Sequence, residues 1–324
     1  MQFYVSRLLL VVTRAALKVS GLLFWILVYV AALLAAASYL PEALRLVAKG
    51  PFRAFHWKSR KAAPACLTSS KHGQHGQIRI KKSGIRFHYV ASGEKGNPLM
   101  LLLHGFPENW YSWRYQLDEF CQEYWTVAVD LRGFGSSDSP PDLRDYRMET
   151  LLQDIQDLIT GLDYVLAHAS QLFSSRYVFL FQLPILPEIL LSLGDFENIR
   201  KPLIDANMGI QNEKRRLSKD EIEAFVYYPS QKGALTPALN YYRNLFGFFP
   251  VKAQDVLVPT LLLWGEQDTF LEAAMVPEMQ QYVHAPFQAE IIPNASHWLQ
   301  QDEPEEVNRM MWDFLRQEMP VSTH

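Results

Sequence analysis

Cysteine is scarce in this chain: 324 residues contain only Cys66 and Cys121. Two cysteines cannot build a disulfide framework, and this pair lacks metal-ligand spacing, so both read as plain thiols in a reducing compartment. Charge of one sign is equally sparse. The net charge of -3 and the absence of any basic run interleaved with aromatics argue against nucleic acid and against a polyanionic partner. There is no internal repeat, no low-complexity tract and no glycine-rich phosphate loop, and nothing in the sequence calls for a metal or a cofactor. What the chain has in quantity is apolar material. At 49% hydrophobic and 20% charged it describes a globular protein with an ample core, read as one large domain plus an appendage.

The appendage is N-terminal. Val19 to Leu40 runs without a charge for about the length of one membrane span. A cleaved signal peptide is the competing reading, because Ala35-Ala-Ala-Ser-Tyr39 imitates a cleavage site. The apolar core is too long for one, and Arg14 and Lys18 come late. A retained anchor over residues 1–48 is therefore expected, followed by a basic, turn-rich tether over 49–76 and a folded domain over 77–324. Arg45, Lys49, Arg53, Lys58 and Arg60 follow the span, which leans towards a cytosolic domain. The one Asn-x-Ser/Thr site, Asn294-Ala-Ser296, sits beside a candidate site residue, where a glycan would obstruct it.

Within the folded domain, Gln77–Lys81 and Ile85–Ala91 alternate apolar with polar residues around Ser83-Gly84 and predict a hairpin. Leu99-Met-Leu-Leu-Leu103 then reads as a strand buried on both faces, the pattern of a parallel sheet between helices. It ends in His104-Gly105-Phe106-Pro107, at the carboxyl end where such sheets place their chemistry. A second β-rich run, Thr126–Asp130, leads into Arg132-Gly-Phe-Gly-Ser-Ser-Asp138. Helical spacing of Leu151, Leu152, Ile155, Leu158 and Ile159 predicts a helix over Met148–Leu162. Pro259–Gly265 is a further apolar strand that ends by presenting Asp268. Gln288–Ile292 is the last strand, with His297 in the loop after it, and Glu305–Arg316 closes the chain as a helix.

These motifs resemble the α/β-hydrolase superfamily, and Phe106-Pro-Glu-Asn-Trp-Tyr-Ser-Trp113 narrows the likeness to epoxide hydrolases. The chain is similar to the membrane-anchored, microsomal-type epoxide hydrolases of vertebrates. The resemblance implies an α/β-hydrolase fold with a mostly parallel central sheet and a helical lid, here over about 165–255. It also implies site residues. Arg176–Pro184 and Asn240–Asn244 match the two lid segments that each supply a tyrosine, here Tyr177 and Tyr242. Two phenol donors aimed at one point can bind an epoxide oxygen and protonate it as the ring opens. Asp268 would hold His297 in the right tautomer, and His297 would activate water. His104, Gly105, Phe106 and Pro107 would line the substrate and oxyanion side.

One family element has no counterpart. After the Met148–Leu162 helix the family has a strand, a sharp turn carrying an aspartate nucleophile between glycines, a helix and another strand. Here Asp163-Tyr164 leads straight into Val165-Leu-Ala-His-Ala-Ser-Gln-Leu-Phe173. Ser170 is followed by Gln171-Leu172 where the turn needs small residues, so it does not replace the nucleophile. The sheet is expected to be incomplete and the two halves of the site to lose the strand that sets their separation. The expected function is that of an epoxide-hydrolase family chain, acting by descent on lipid-type epoxides at the endoplasmic reticulum membrane, in an inactive or truncated form. The alternative is a membrane-tethered, non-catalytic lipid-binding protein.

Overall fold

The computed structural model describes residues 2–58, 60–80, 84–147, 150–151, 176–246 and 256–318, with side chains described from Lys18 onward. Most of the helix expected over Met148–Leu162, the segment Val165–Phe173 with Ser170, and the first and last parts of the lid lie outside the described residues.

A long helix, α1 (Gln2–Ala48), is followed by two single turns, α2 (Pro51–Ala54) and α3 (Ala65–Thr68). The stretch between α1 and the sheet makes specific contacts. Arg60 forms ion pairs with Asp195 and Glu223, and Ala54 and Leu67 are buried. The hairpin forms as β1 (Gln74–Arg79) and β2 (Arg86–Ser92), paired antiparallel, with Gly84 at φ 73° in the left-handed region that favours glycine. Then come β3 (Leu99–Leu103), α4 (Arg114–Phe120) and β4 (Trp125–Val129). The sheet order is β1-β2-β4-β3, with β3 and β4 parallel.

The lid elements are α5 (Arg176–Leu180), α6 (Leu186–Ile204, broken at Leu193–Phe196), α7 (Lys219–Tyr227) and α8 (Leu235–Arg243). Ser218 and Glu221 start α7 with a reciprocal capping box. The chain closes with β5 (Thr260–Gly265), α9 (Met275–Met279), β6 (Phe287–Ile292), α10 (Leu299–Asp302) and α11 (Pro304–Glu318). In α11 Pro304 and two glutamates open the first turn and Arg316 closes the last, the charge order a helix dipole favours.

The expectation that β3 is buried on both faces is corrected. Leu102 packs in the core with Val90, Ala128, Trp110 and Leu117, but Leu99 is 57% and Leu101 48% exposed. Side chains alternate across a strand, and no described element covers the face that carries Leu99 and Leu101. Among the described residues β3 pairs only with β4, and β5 and β6 pair only with each other, so β3, β5 and β6 each keep an open edge. The strand ending at Gly265 is likewise only half-buried along most of its length.

What joins the two sheets is α4 packed against α10 and α11. Phe120 stacks on Trp312 with ring centroids 4.6 Å apart, Gln116 donates to Asn308 at 2.8 Å, and Arg114 donates to Gln301 at 2.7 Å. Phe120, Gln116 and Arg114 are all buried. Among the described residues this brace ties the β3–β4 pair to the β5–β6 pair. Phe120→Ala is predicted to cost about 3–5 kcal/mol, a large part of the about 5–15 kcal/mol of an ordinary domain. Urea unfolding checks it: a loss below about 1 kcal/mol would mean the brace is dispensable.

Candidate functional site

The acid and the histidine are brought together by a close backbone approach. A Cβ on Gly265 would lie 2.2 Å from the Ser296 carbonyl oxygen, so only glycine lets the end of β5 press against the loop after β6. Gln267 N–H donates to Ala295 O at 2.9 Å and Glu266 N–H to Ile292 O at 3.0 Å, zipping the two exits together. Asp268 Oδ1 then accepts from the Phe270 and Leu271 N–H groups at 2.8 and 2.9 Å. Its Oδ2 lies 2.8 Å from His297 Nδ1, which leaves Nε2 as the free nitrogen of the ring. The histidine loop is fixed from the other side by Trp298, whose indole N–H donates to Pro202 O at the end of the lid helix α6.

The tyrosines come from α5 and α8. These helices are locked together by Gln182, which donates to Tyr242 O at 2.6 Å, and by Arg243, which donates to Phe181 O and Leu183 O and pairs with Glu188. The Tyr177 and Tyr242 rings meet edge to face at 5.9 Å. Tyr177 reaches Phe270 at 6.2 Å, and Phe270 reaches His297 at 5.0 Å. Phe106 and Phe181 complete the aromatic wall around Tyr242. A chain of ring contacts therefore links Tyr242 and Tyr177 through Phe270 to His297 and its partner Asp268.

Burial pushes both phenols well above their ordinary range, aided at Tyr177 by the negative charge of Asp268 and at Tyr242 by its neighbour Tyr177. Both stay protonated donors at neutral pH. At His297 burial works against the charged form, but the hydrogen bond and charge of Asp268, with Glu108 acting in the same sense, outweigh it and raise the imidazole.

The four residues after β3 are placed differently. His104 lies between the strand exits: Nε2 accepts from Leu131 N–H at 3.1 Å, so Nδ1–H donates to Gly105 O at 2.7 Å. The Gly105 N–H is taken by Glu108 Oε2 at 3.3 Å. Phe106 faces Tyr242 and precedes Pro107 through a cis peptide bond. A cavity of about 40 Å³ opens beside Phe106, Pro107 and Glu108 and runs to Phe134 and Tyr228. Asp130, which opens the Arg132–Asp138 motif, is wholly buried and structural. It accepts from the Trp110 and Ser136 N–H groups and from His88 Nδ1 at 2.7 Å, tying hairpin, β3 exit and β4 exit into one knot.

Glu108 has no role in the sequence reading. It is buried and accepts from the side-chain amides of Gln300 and Gln301 at 3.1 and 2.9 Å, which places its charge near His297. The available signal was an acid three residues beyond Gly105, inside a motif that otherwise supplies backbone. Residues 192 and 193 positions away decide its surroundings. The pair predicts a titration. His297 should titrate above about 6.5, and Asp268→Asn should bring it down, read by NMR of the ring protons. Below about 6.5 the pair's stabilisation is complete, and it fades as pH rises through the raised value. The neutral, proton-accepting ring prevails only above that value. A His297 titration unmoved by Asp268→Asn would contradict the assignment.

Residues 100–310 match the alpha/beta hydrolase family. Epoxide hydrolase 3 of Xenopus tropicalis is 68% identical over 364 residues, covering 99% of this chain and 99% of that one. Against the 324 residues here, those 364 positions leave at least 40 opposite no residue of this chain. Epoxide hydrolase 4 of Homo sapiens is 40% identical, covering 94% of this chain and 96% of its own. Among solved structures, a mutant epoxide hydrolase from Bacillus megaterium aligns with a TM-score of 0.65 at 26% identity, covering 74% of this chain and all of that one. By these likenesses the chain belongs to the epoxide hydrolases of the α/β-hydrolase fold.

Proposed function

We propose that this chain keeps the proton-handling half of an epoxide-hydrolase site and lacks the carboxylate nucleophile, so that it binds apolar epoxides or related lipids without turning them over. One observation carries the reading. Among the described residues the carboxylates acting on His297 are Asp268 and Glu108, and both are held by other groups. Asp268 is spent on two backbone N–H groups and the imidazole. Glu108 is spent on two amides and the Gly105 N–H. The positions of the Xenopus relative that face no residue here support the same reading, as does the open edge of β3.

In this proposal Tyr177 and Tyr242 offer two protonated O–H donors to an ether or epoxide oxygen, and Phe106, Phe181 and Phe270 supply apolar walls. His297 accepts a proton through its free Nε2. With no carbon–oxygen ester to form, water and ligand meet only through His297 and the two phenols. The same walls suit a lipid ligand, and the N-terminal helix would tether such a lipid-binding protein to a membrane. The N-terminal helix is long and apolar enough to cross a membrane, with one such stretch over Lys18–Ala48. Its flanking lysines and arginines support a cytosolic domain at the endoplasmic reticulum membrane.

Diol formation from a lipid epoxide by the purified full chain, run beside His297→Ala, tests this. Misplacement of reacting groups by about 1 Å costs about a hundredfold in rate, and loss of the nucleophile removes the covalent route altogether. Turnover equal to that of the variant is expected. Turnover well above it would overturn the proposal.

A further inference from the structure

α1 is not a free tether. Its buried positions, Val28, Ala32, Ala35 and Leu46, follow a helical stripe. Val28 packs with Val178 and Phe246, and Ala32, Ala35 and Leu46 pack in the cluster that includes Leu180, Phe181 and Leu190. The alanines let the two helix backbones approach closely. At the lower end the seam is latched by charge: Arg45 pairs with Glu42 of its own helix and with Glu197 of α6 at 3.0 Å. Arg176, the residue before Tyr177, lies over the Tyr39 ring at 5.6 Å.

The opposite face of α1 is apolar and uncovered, with Leu27 and Leu34 both 68% exposed. Ile185 at the start of α6 is 70% exposed. A surface of this kind on a water-soluble protein marks a contact. Length identifies the occupant. The charge-free stretch is Val19–Leu40, but the buried part of the lid seam already begins at Val28, and the Phe24 ring meets Phe246 before it. Val19–Leu27 alone would rise only about 14 Å at 1.5 Å per residue, against a hydrocarbon core of about 30 Å. A span made from this stretch must therefore include the very residues to which the lid is bound.

Resting on the membrane-anchor reading above, we propose that α1 and the lid form one membrane-embedded unit, with bilayer hydrocarbon covering the outer face of α1 and Ile185 together. The tyrosine pair then lies just behind a wall that faces lipid, and an apolar ligand reaches it from the bilayer.

The test uses the full chain in phosphatidylcholine vesicles, with Cys66 and Cys121 changed to serine and one environment-sensitive label on a new cysteine. Leu27→Cys, Ile185→Cys and Lys95→Cys are compared, and lipids brominated along their chains act as quenchers. Leu27 reports the span, and exposed Lys95 is the control on the far side of the domain. The expected result is severalfold stronger quenching at Leu27 and at Ile185 than at Lys95. Adding Ala32→Leu, which wedges the seam, should remove the quenching at Ile185 and leave it at Leu27. Quenching at Leu27 with none at Ile185 would overturn the proposal while leaving the anchor intact. Quenching at neither would overturn both.

Discussion

The brace between α4 and the C-terminal helices is the constraint on which the rest depends. Each sheet has an open edge among the described residues, and no described strand bridges them. The stack of Phe120 on Trp312 and the buried hydrogen bonds from Gln116 and Arg114 connect residues nearly 200 positions apart, and they hold the β5–β6 pair against the β3–β4 pair. Buried polar contacts of this kind must be satisfied together or not at all, so they set position as well as adding stability. Because the brace stands next to the motif after β3 and to the loop after β6, it fixes the distance between Phe106 and His297 by an indirect route.

Once that distance is set, local chemistry follows. Gly265 lets two loops touch, the touching loops align Asp268 with His297, and the hydrogen bond selects which nitrogen of the ring is free. The lid brings two phenols, kept protonated by burial, to the chain of ring contacts that ends at His297. Donors and an acceptor for protons are thus assembled, while the carboxylates near the histidine are committed elsewhere. The proposed binding without turnover rests on this difference: stabilising an oxygen atom needs only donors, whereas opening the ring by the family route needs a nucleophile in line with it.

Much of this was legible in the sequence, for identifiable reasons. Strand ends followed by an acid or a histidine are local patterns, so Asp268 and His297 could be named from a few neighbouring residues, and the hairpin announced itself by alternation around Gly84. The lid tyrosines were legible only through resemblance, since nothing in the spacing of aromatics distinguishes Tyr177 from a packing residue. The burial of β3 was misread because five apolar residues show that a strand can be covered, not that a partner exists. Leu99 and Leu101 are the result. Glu108 and the stripe Val28–Ala32–Ala35 were invisible in function because their partners lie far along the chain, and only folding brings those partners near.

In the proposed function the site lacks a nucleophile while its other members are assembled. Intact-mass spectrometry of the full chain, quenched in acid after exposure to excess lipid epoxide, tests it directly. An unchanged protein mass is expected, because in the proposed reading neither carboxylate near His297 among the described residues is free to form an ester. A covalent adduct of one epoxide per chain, mapped to an aspartate or glutamate, would contradict it.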